Sequence, residues 1–123
     1  MKRIILICGL LSLFAGSARA QTHSASLTWT LSTDDTTTEC SVAGAACSQN
    51  VYRAAGACTQ TSPTFVLLSN QGAAAVAYTD ATVTPGTWCY AVTFQIQGTE
   101  SVKATATVTL PAAPPTGLVV VAH

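Results

Sequence analysis

Cysteine and histidine are the residue types best suited to chemistry in this 123-residue chain. Beyond the first 20 residues there are four cysteines: Cys40, Cys47, Cys58 and Cys89. Four thiols can hold a zinc ion, but zinc ligands usually come in pairs two to four residues apart. These cysteines are spaced more widely, and His23 and His123 stand at opposite ends of the chain. The spacing therefore favours two disulfides over a metal site.

The N-terminus predicts export to an oxidising compartment, where disulfides form. Lys2 and Arg3 precede an apolar run over residues 4–15, and Ala18-Arg19-Ala20 offers small residues where a signal peptidase cuts. Residues 1–20 are therefore interpreted as a signal peptide. The apolar run is shorter than the about 20 residues of a membrane-spanning helix. We expect a product that is secreted (extracellular, periplasmic or at the cell surface) and not membrane-bound after cleavage.

The charge of the remaining chain excludes several classes of partner. Two positive side chains, Arg53 and Lys103, stand against five negative ones, which gives a net charge of −3. Such a surface lacks the basic patch that nucleic-acid binding requires. The two positive residues are too few for an anion site, and we interpret them as charges that protect strand edges from pairing.

Alternation of apolar and polar residues predicts an all-β fold. The alternation is clearest over 24–32 and 102–110, with shorter candidate strands at 50–54, 64–69, 75–79 and 88–97 and a seventh at the chain end. Turn signals lie at Pro85-Gly86 and Gly98. This spacing is typical of an antiparallel β-sandwich of about seven strands over residues 21–110, followed by a Pro-rich linker and terminal strand over 111–123. The expected core residues are Leu27, Trp29, Leu31, Val51, Tyr90, Val92, Phe94 and Val108.

Side-chain volume selects the inner face of the 88–97 strand. One face carries Trp88, Tyr90, Val92, Phe94 and Ile96, and burying it removes more apolar surface from water than burying the other. Cys89 then points outward, near the end of the neighbouring 50–54 strand. Cys58 follows that end by four residues. We therefore favour pairing Cys58 with Cys89, and Cys40 with Cys47.

Several segments in order resemble the fibronectin type III domain, in the variant common in bacterial secreted and phage-associated proteins. They are Ala25-Ser26-Leu27-Thr28-Trp29-Thr30, Asn50-Val51-Tyr52-Arg53, Tyr78-Thr79-Asp80, Val83-Thr84-Pro85-Gly86-Thr87, Cys89-Tyr90-Ala91-Val92-Thr93 and Gly98-Thr99-Glu100-Ser101. The resemblance covers nearly all of 24–110 and implies a seven-stranded immunoglobulin-like sandwich with Trp29 in its core. The chain departs from the family by placing Trp88 or Cys89 where a tyrosine is usual, and by lacking a first strand before Ser24.

The C-terminal segment resembles that missing first strand. Pro114 and Pro115 precede four apolar residues, Leu118, Val119, Val120 and Val121. An uncharged, β-prone segment of this kind must be paired to avoid aggregation. Three alternatives stay open: it folds back on its own sheet, it begins a further domain of a longer product, or it completes the sandwich of a neighbouring copy.

Signatures of catalysis are absent from the sequence. There is no GxSxG, HExxH or P-loop motif, and the two terminal histidines give no nucleophile and base pair. Asp34, Asp35 and Glu39 could bind Ca²⁺, but a solvated acidic loop is the preferred interpretation. We predict no enzyme, no catalytic residues and no cofactor.

Three binding functions remain. The first is a noncatalytic module for adhesion, spacing or binding of a protein or glycan through its loops, chiefly 33–48. The second is a structural subunit that assembles head-to-tail into a homo-oligomer by donating its C-terminal strand. The third is a small carbohydrate-binding domain that uses Tyr52, Tyr78, Trp88 and Tyr90, although the core is expected to claim two of these aromatic residues.

Overall fold

The computed structural model describes residues 23–33, 40, 46–115 and 117–123. The expected signal peptide and the acidic residues Asp34, Asp35 and Glu39 lie outside this part of the chain. The described residues form seven strands: β1 (Ala25–Thr28), β2 (Cys47–Ala55), β3 (Val66–Gly72), β4 (Ala77–Asp80), β5 (Gly86–Ile96), β6 (Thr99–Glu100) and β7 (Ala104–Leu110).

The strands form two antiparallel sheets, which confirms the predicted all-β sandwich. β1 pairs with β4 in a narrow sheet. The wide sheet has the order β3-β2-β5, and both β6 and β7 pair with the far side of β5. Alternating side chains from both sheets meet in one core, where Ala25 of β1 and Tyr90 of β5 are buried together with Val83.

The expected core residues divide into buried and half-buried groups. Val51, Tyr90 and Phe94 are buried, whereas Leu27, Trp29, Leu31, Val92 and Val108 are half-buried. The large side chains Trp88 and Tyr90 belong to the inner cluster, in the register that their volume predicts. Of the half-buried residues, Leu27 lies on β1, Trp29 and Leu31 follow that strand, Val92 lies on β5 and Val108 lies on β7.

The outer face of β5 is also shielded from solvent. Cys89 and Ala91 are 0% and 1% exposed. The structure pairs Cys58 with Cys89 and Cys40 with Cys47, the pairing that the sequence analysis favours. The first of these disulfides ties the segment after β2 to β5, so the outward-facing Cys89 is buried rather than solvated.

The strand boundaries differ from the prediction at the C-terminal side. Gln97 and Gly98 have φ angles of 48° and 83°, which form a tight turn between β5 and the short β6. Val102 then leaves the ladder and is 92% exposed, so β7 begins at Ala104. Residues 117–123 form no strand, and the seventh strand is β6 instead of the chain end.

Candidate binding groove

The two facing sheets have different widths. The narrow sheet has two strands, whereas β3, β2, β5 and β7 lie side by side in the wide one. At about 4.8 Å between neighbouring strands, two strands cannot cover four. The uncovered part lies at β7, where Ala104 and Ala106 share the inward side with Val108 and yet are exposed.

An apolar groove occupies this uncovered region. Its volume is about 500 Å³, and residues 24–29, 104–108 and 110 form its walls. Tyr90 and Val92 of β5 lie between those walls. No lining residue carries a formal charge. The volume falls within the roughly 300–1,000 Å³ of typical ligand sites.

One edge of β1 faces this groove without a strand partner among the described residues. The Trp29 amide donates to the Val76 carbonyl oxygen at 3.0 Å, in line with the register that pairs Leu27 with Tyr78. Because hydrogen-bonded pairs alternate along an antiparallel ladder, the N–H and C=O groups of Ser26 and Thr28 point the other way. The open edge therefore offers backbone donors and acceptors beside an apolar trough.

Trp29 lines the groove and is held in place by its indole nitrogen. Trp29 Nε1 donates to Gln49 Oε1 at 2.7 Å. Gln49 is buried, and its Nε2 donates to the carbonyl oxygens of Ala73 and Ala75, each at 2.7 Å. Gln49 thus connects β2, the turn before β4 and the groove wall. Nothing in the sequence pattern points to this role, because a lone Gln in a strand usually faces solvent.

A buried carboxylate fixes Tyr90. Asp80 Oδ2 accepts hydrogen bonds from the Tyr90 hydroxyl at 2.8 Å and from Arg53 Nη1 at 2.5 Å, and its Oδ1 accepts from the Thr82 amide at 2.9 Å. Burial acts to raise the pKa of Asp80, but these hydrogen bonds outweigh it and lower the pKa. Burial, together with the Asp80 carboxylate, raises the pKa of Tyr90 to about 12. The contacts are a structural network, since every member already bonds another member.

The edge-protecting role predicted for Arg53 is wrong. Arg53 lies on β2, between β3 and β5, and its backbone is opposite Val66 and Tyr90. Its guanidinium pairs with Asp80 between the sheets and lies 4.7 Å from the Trp88 ring centroid. A buried carboxylate on the opposite sheet explains why a charge is tolerated there.

A second polar cluster lies on the outer face of the wide sheet. Glu100 accepts hydrogen bonds from the Tyr52 hydroxyl and from Asn50 Nδ2. Lys103 Nζ lies 5.0 Å from the Tyr52 ring centroid and 5.6 Å from that of Phe65. The hydrogen bond from Tyr52 lowers the pKa of Glu100 and raises that of Tyr52. The groups satisfy one another, so this cluster fastens the short β6 to the sheet.

The four aromatic residues considered for sugar stacking do not converge. Tyr52 lies in the outer cluster, whereas Tyr90 is buried in the core. Trp88 contacts Arg53, and its Nε1 donates to the Thr84 carbonyl oxygen at 2.9 Å. Tyr78 stands on β4 in the other sheet. These four rings therefore do not form a common platform.

The described ranges contain neither a metal-binding cluster nor a membrane-spanning helix. No group of three or more His, Cys, Asp or Glu residues there is placed to hold a metal ion. The same residues contain no helix with the length and apolar character needed to cross a bilayer.

The C-terminal residues proposed for strand donation are exposed. Leu118 and Val120 are 86% and 84% exposed, and Val119 and Val121 are 78% and 68% exposed. The structure therefore does not place this segment on its own sheet, whereas the fold-back alternative expects it there. The groove lies beside the edge of β1 that has no strand partner among the described residues.

The scan against protein-family models and the searches of curated proteins and of solved structures each return no match. The functional argument for this chain therefore depends on the groove and its surroundings.

Proposed function

We propose that this chain is a noncatalytic, secreted β-sandwich module that binds a polypeptide partner in the groove between β1 and β7. The observation that carries the proposal is the open β1 edge beside an apolar trough of about 500 Å³. An extended peptide added to a free sheet edge gains main-chain hydrogen bonds, and alternate side chains enter the neighbouring trough.

The composition of the groove favours a peptide strand over a glycan. The lining consists of Ala, Val, Leu, Thr and Ser, with Trp29 and Tyr90 as its aromatic members. Sugar sites need polar side chains that bond several hydroxyls, and the Tyr90 hydroxyl is already bonded to Asp80. The backbone groups of Ser26 and Thr28 that have no partner among the described residues instead match the repeat of a β-strand.

The strand order supports the proposed relationship to the fibronectin type III domain. In an immunoglobulin-like sandwich the first strand lies beside the second, and here that place is the open edge of β1. The bond from Trp88 Nε1 to the Thr84 carbonyl oxygen supplies a link to upstream backbone where the family usually has a tyrosine. Two disulfides support export, because such bonds persist in oxidising compartments.

Peptide titration tests the proposed function. We expect short peptides with alternating apolar residues to bind in calorimetry and to shift the emission of Trp29. An Ala106→Asp variant should lose binding, because it places a charge in the trough. Thr109→Asp is the matched control, since Thr109 lies on the opposite side of the same strand and does not line the groove. Equal binding by both variants, or none by the wild-type protein, would refute the proposal.

A further inference from the structure

We infer that the groove between β1 and β7 receives residues 118–122 of a second copy of this chain, so that copies join head-to-tail. This inference rests on the proposed function and names its partner. The donated segment lies along the open edge of β1. Leu118 and Val120 enter the trough, because Leu118 is the largest apolar side chain of the segment and its burial gains most.

The dimensions of the segment and the groove agree. Five extended residues span about 17 Å, and β1 with Trp29 offers an edge of the same five-residue length. The donated residues 118–122 expose roughly 700 Å² as an extended chain of about 0.5 kDa. Burying half of this against an equal groove area removes about 700 Å², less than the about 1,200–2,000 Å² of stable interfaces, so each junction is weak and assembly depends on concentration.

Charge poses no obstacle to this contact. Residues 111–122 carry no Asp, Glu, Lys or Arg, and the groove lining is also free of them. No ion therefore loses its hydration when the tail enters the groove. The tail and the groove are both apolar and exposed in the single chain, so their contact buries apolar surface of each.

The linker favours a second copy over the tail's own groove. β7 forms one wall of that groove and ends at Leu110, so an intramolecular tail must reverse direction at once. Pro111, Pro114 and Pro115 stiffen this region towards the extended polyproline form, which rises about 3.1 Å per residue. The exposed Leu118 lies beyond this spacer, where another molecule can accept it.

Two full-length variants with complementary defects test the inference. Val120→Asp leaves the groove intact and spoils the tail, whereas Ala106→Asp does the reverse. We expect wild-type protein to form oligomers that grow with concentration in sedimentation, and each variant alone to be a monomer. An equimolar mixture should form a dimer that grows no further, because it has one usable tail and one usable groove.

Control variants and a peptide separate assembly from misfolding. Val119→Asp and Thr109→Asp should keep assembly within about threefold, since neither side chain faces the trough. A synthetic peptide of residues 114–123 should dissolve wild-type oligomers, and its Val120→Asp form should bind at least about tenfold more weakly.

Three results would overturn the inference. The first is a wild-type protein that stays monomeric at every concentration. If the Trp29 emission of that monomer also differs from the emission of the Val120→Asp variant, the tail lies in its own groove. The second is a variant mixture that stays monomeric. The third is a groove that binds unrelated apolar peptides but not residues 114–123, in which case the proposed peptide binding stands. If no peptide binds, both proposals fail.

Discussion

At the scale of single residues, Asp80 organises the contact between the two sheets. Its carboxylate is buried and accepts hydrogen bonds from Arg53, Tyr90 and both the amide and hydroxyl of Thr82. Removing one partner of a buried ion pair leaves the other charge without compensation. The network therefore holds Tyr90, which lies between the groove walls, in place. Its net contribution to the free energy of unfolding is small when compared with apolar side chains of similar volume.

An Asp80→Ala variant should lose about 2–4 kcal/mol of unfolding free energy. The lower end applies because the Arg53 side chain retains 21% exposure and can reach water. Urea unfolding with the disulfides intact measures the loss. Glu100→Ala is the comparison, since its exposed carboxylate also accepts two hydrogen bonds but should cost less than about 1 kcal/mol. Similar losses in both variants would contradict the role of burial.

The same network predicts how stability depends on pH. The pKa of Asp80 is lower in the folded state, so its contribution is present above its ordinary value of 3.8 and is lost as the pH falls through the folded pKa. The pKa of Tyr90 is raised from 10.0 to about 12, so its contribution is present below pH 10 and is lost as the pH rises towards 12. The loss at alkaline pH should approach about 2–3 kcal/mol.

Unfolding midpoints measured against pH test both arms. Tyr90→Phe should flatten the alkaline arm and only weaken the acid arm, because Thr82 and Arg53 still bond Asp80. Asp80→Asn should flatten the acid arm and also weaken the alkaline arm, because the Asp80 carboxylate helps to raise the pKa of Tyr90. An unchanged alkaline arm in Tyr90→Phe would show that another group causes it.

At the scale of elements, the two disulfides close loops of very different length. The Cys58–Cys89 bond has a sequence separation of 31, and the Cys40–Cys47 bond a separation of 7. In the chain-entropy model the longer loop contributes about 3.7 kcal/mol and the shorter about 2.5 kcal/mol. The longer bond also joins Cys58 to Cys89, which is fully buried on β5 in the wide sheet.

Replacing both cysteines of one bond by alanine should therefore rank the two bonds. The Cys58/Cys89 double variant should lose more stability than the Cys40/Cys47 variant, by about 1 kcal/mol or more. Urea midpoints under nonreducing conditions give the comparison. The reverse order would mean that strain or residual structure outweighs loop closure.

The turn between β5 and β6 gives a second element-scale prediction. Gln97 and Gly98 both have positive φ, the pattern of a two-residue hairpin turn in which Asn-Gly is preferred. Gly98→Ala should lower the unfolding free energy by about 1 kcal/mol, and Gln97→Asn should raise it by up to about 1 kcal/mol. The thermal unfolding midpoints of the two variants measure these changes. Equal effects of Ala at Gly98 and at Gly72, where φ is not positive, would contradict the turn argument.

At the scale of the whole molecule, an uncovered sandwich should gain stability from its partner. If a second copy fills the groove, the thermal midpoint rises with protein concentration, because binding to the folded state stabilises it. The association should also change little between low and high salt, since neither surface carries charge. Light scattering and thermal scans across both variables test this. A strong weakening by salt would indicate a charged interface elsewhere.

The sequence by itself determines the fold class of this protein and its disulfide framework. Alternating residues around Leu27 and Val108 identify strands because a pleat has a period of two, and the volumes of Trp88 and Tyr90 select the buried face. Local turn chemistry at Gly98 likewise marks where β5 ends. These properties depend on neighbouring residues in the chain.

Only the tertiary structure decides which residues meet across the sheets. Arg53 and Asp80 are 27 residues apart, and their pairing follows from how β2 and β4 are stacked. The groove depends on the unequal number of strands in the two sheets, which no local pattern encodes. Strand neighbours and sheet widths are set by contacts between distant residues, and these contacts exist only after the chain has folded.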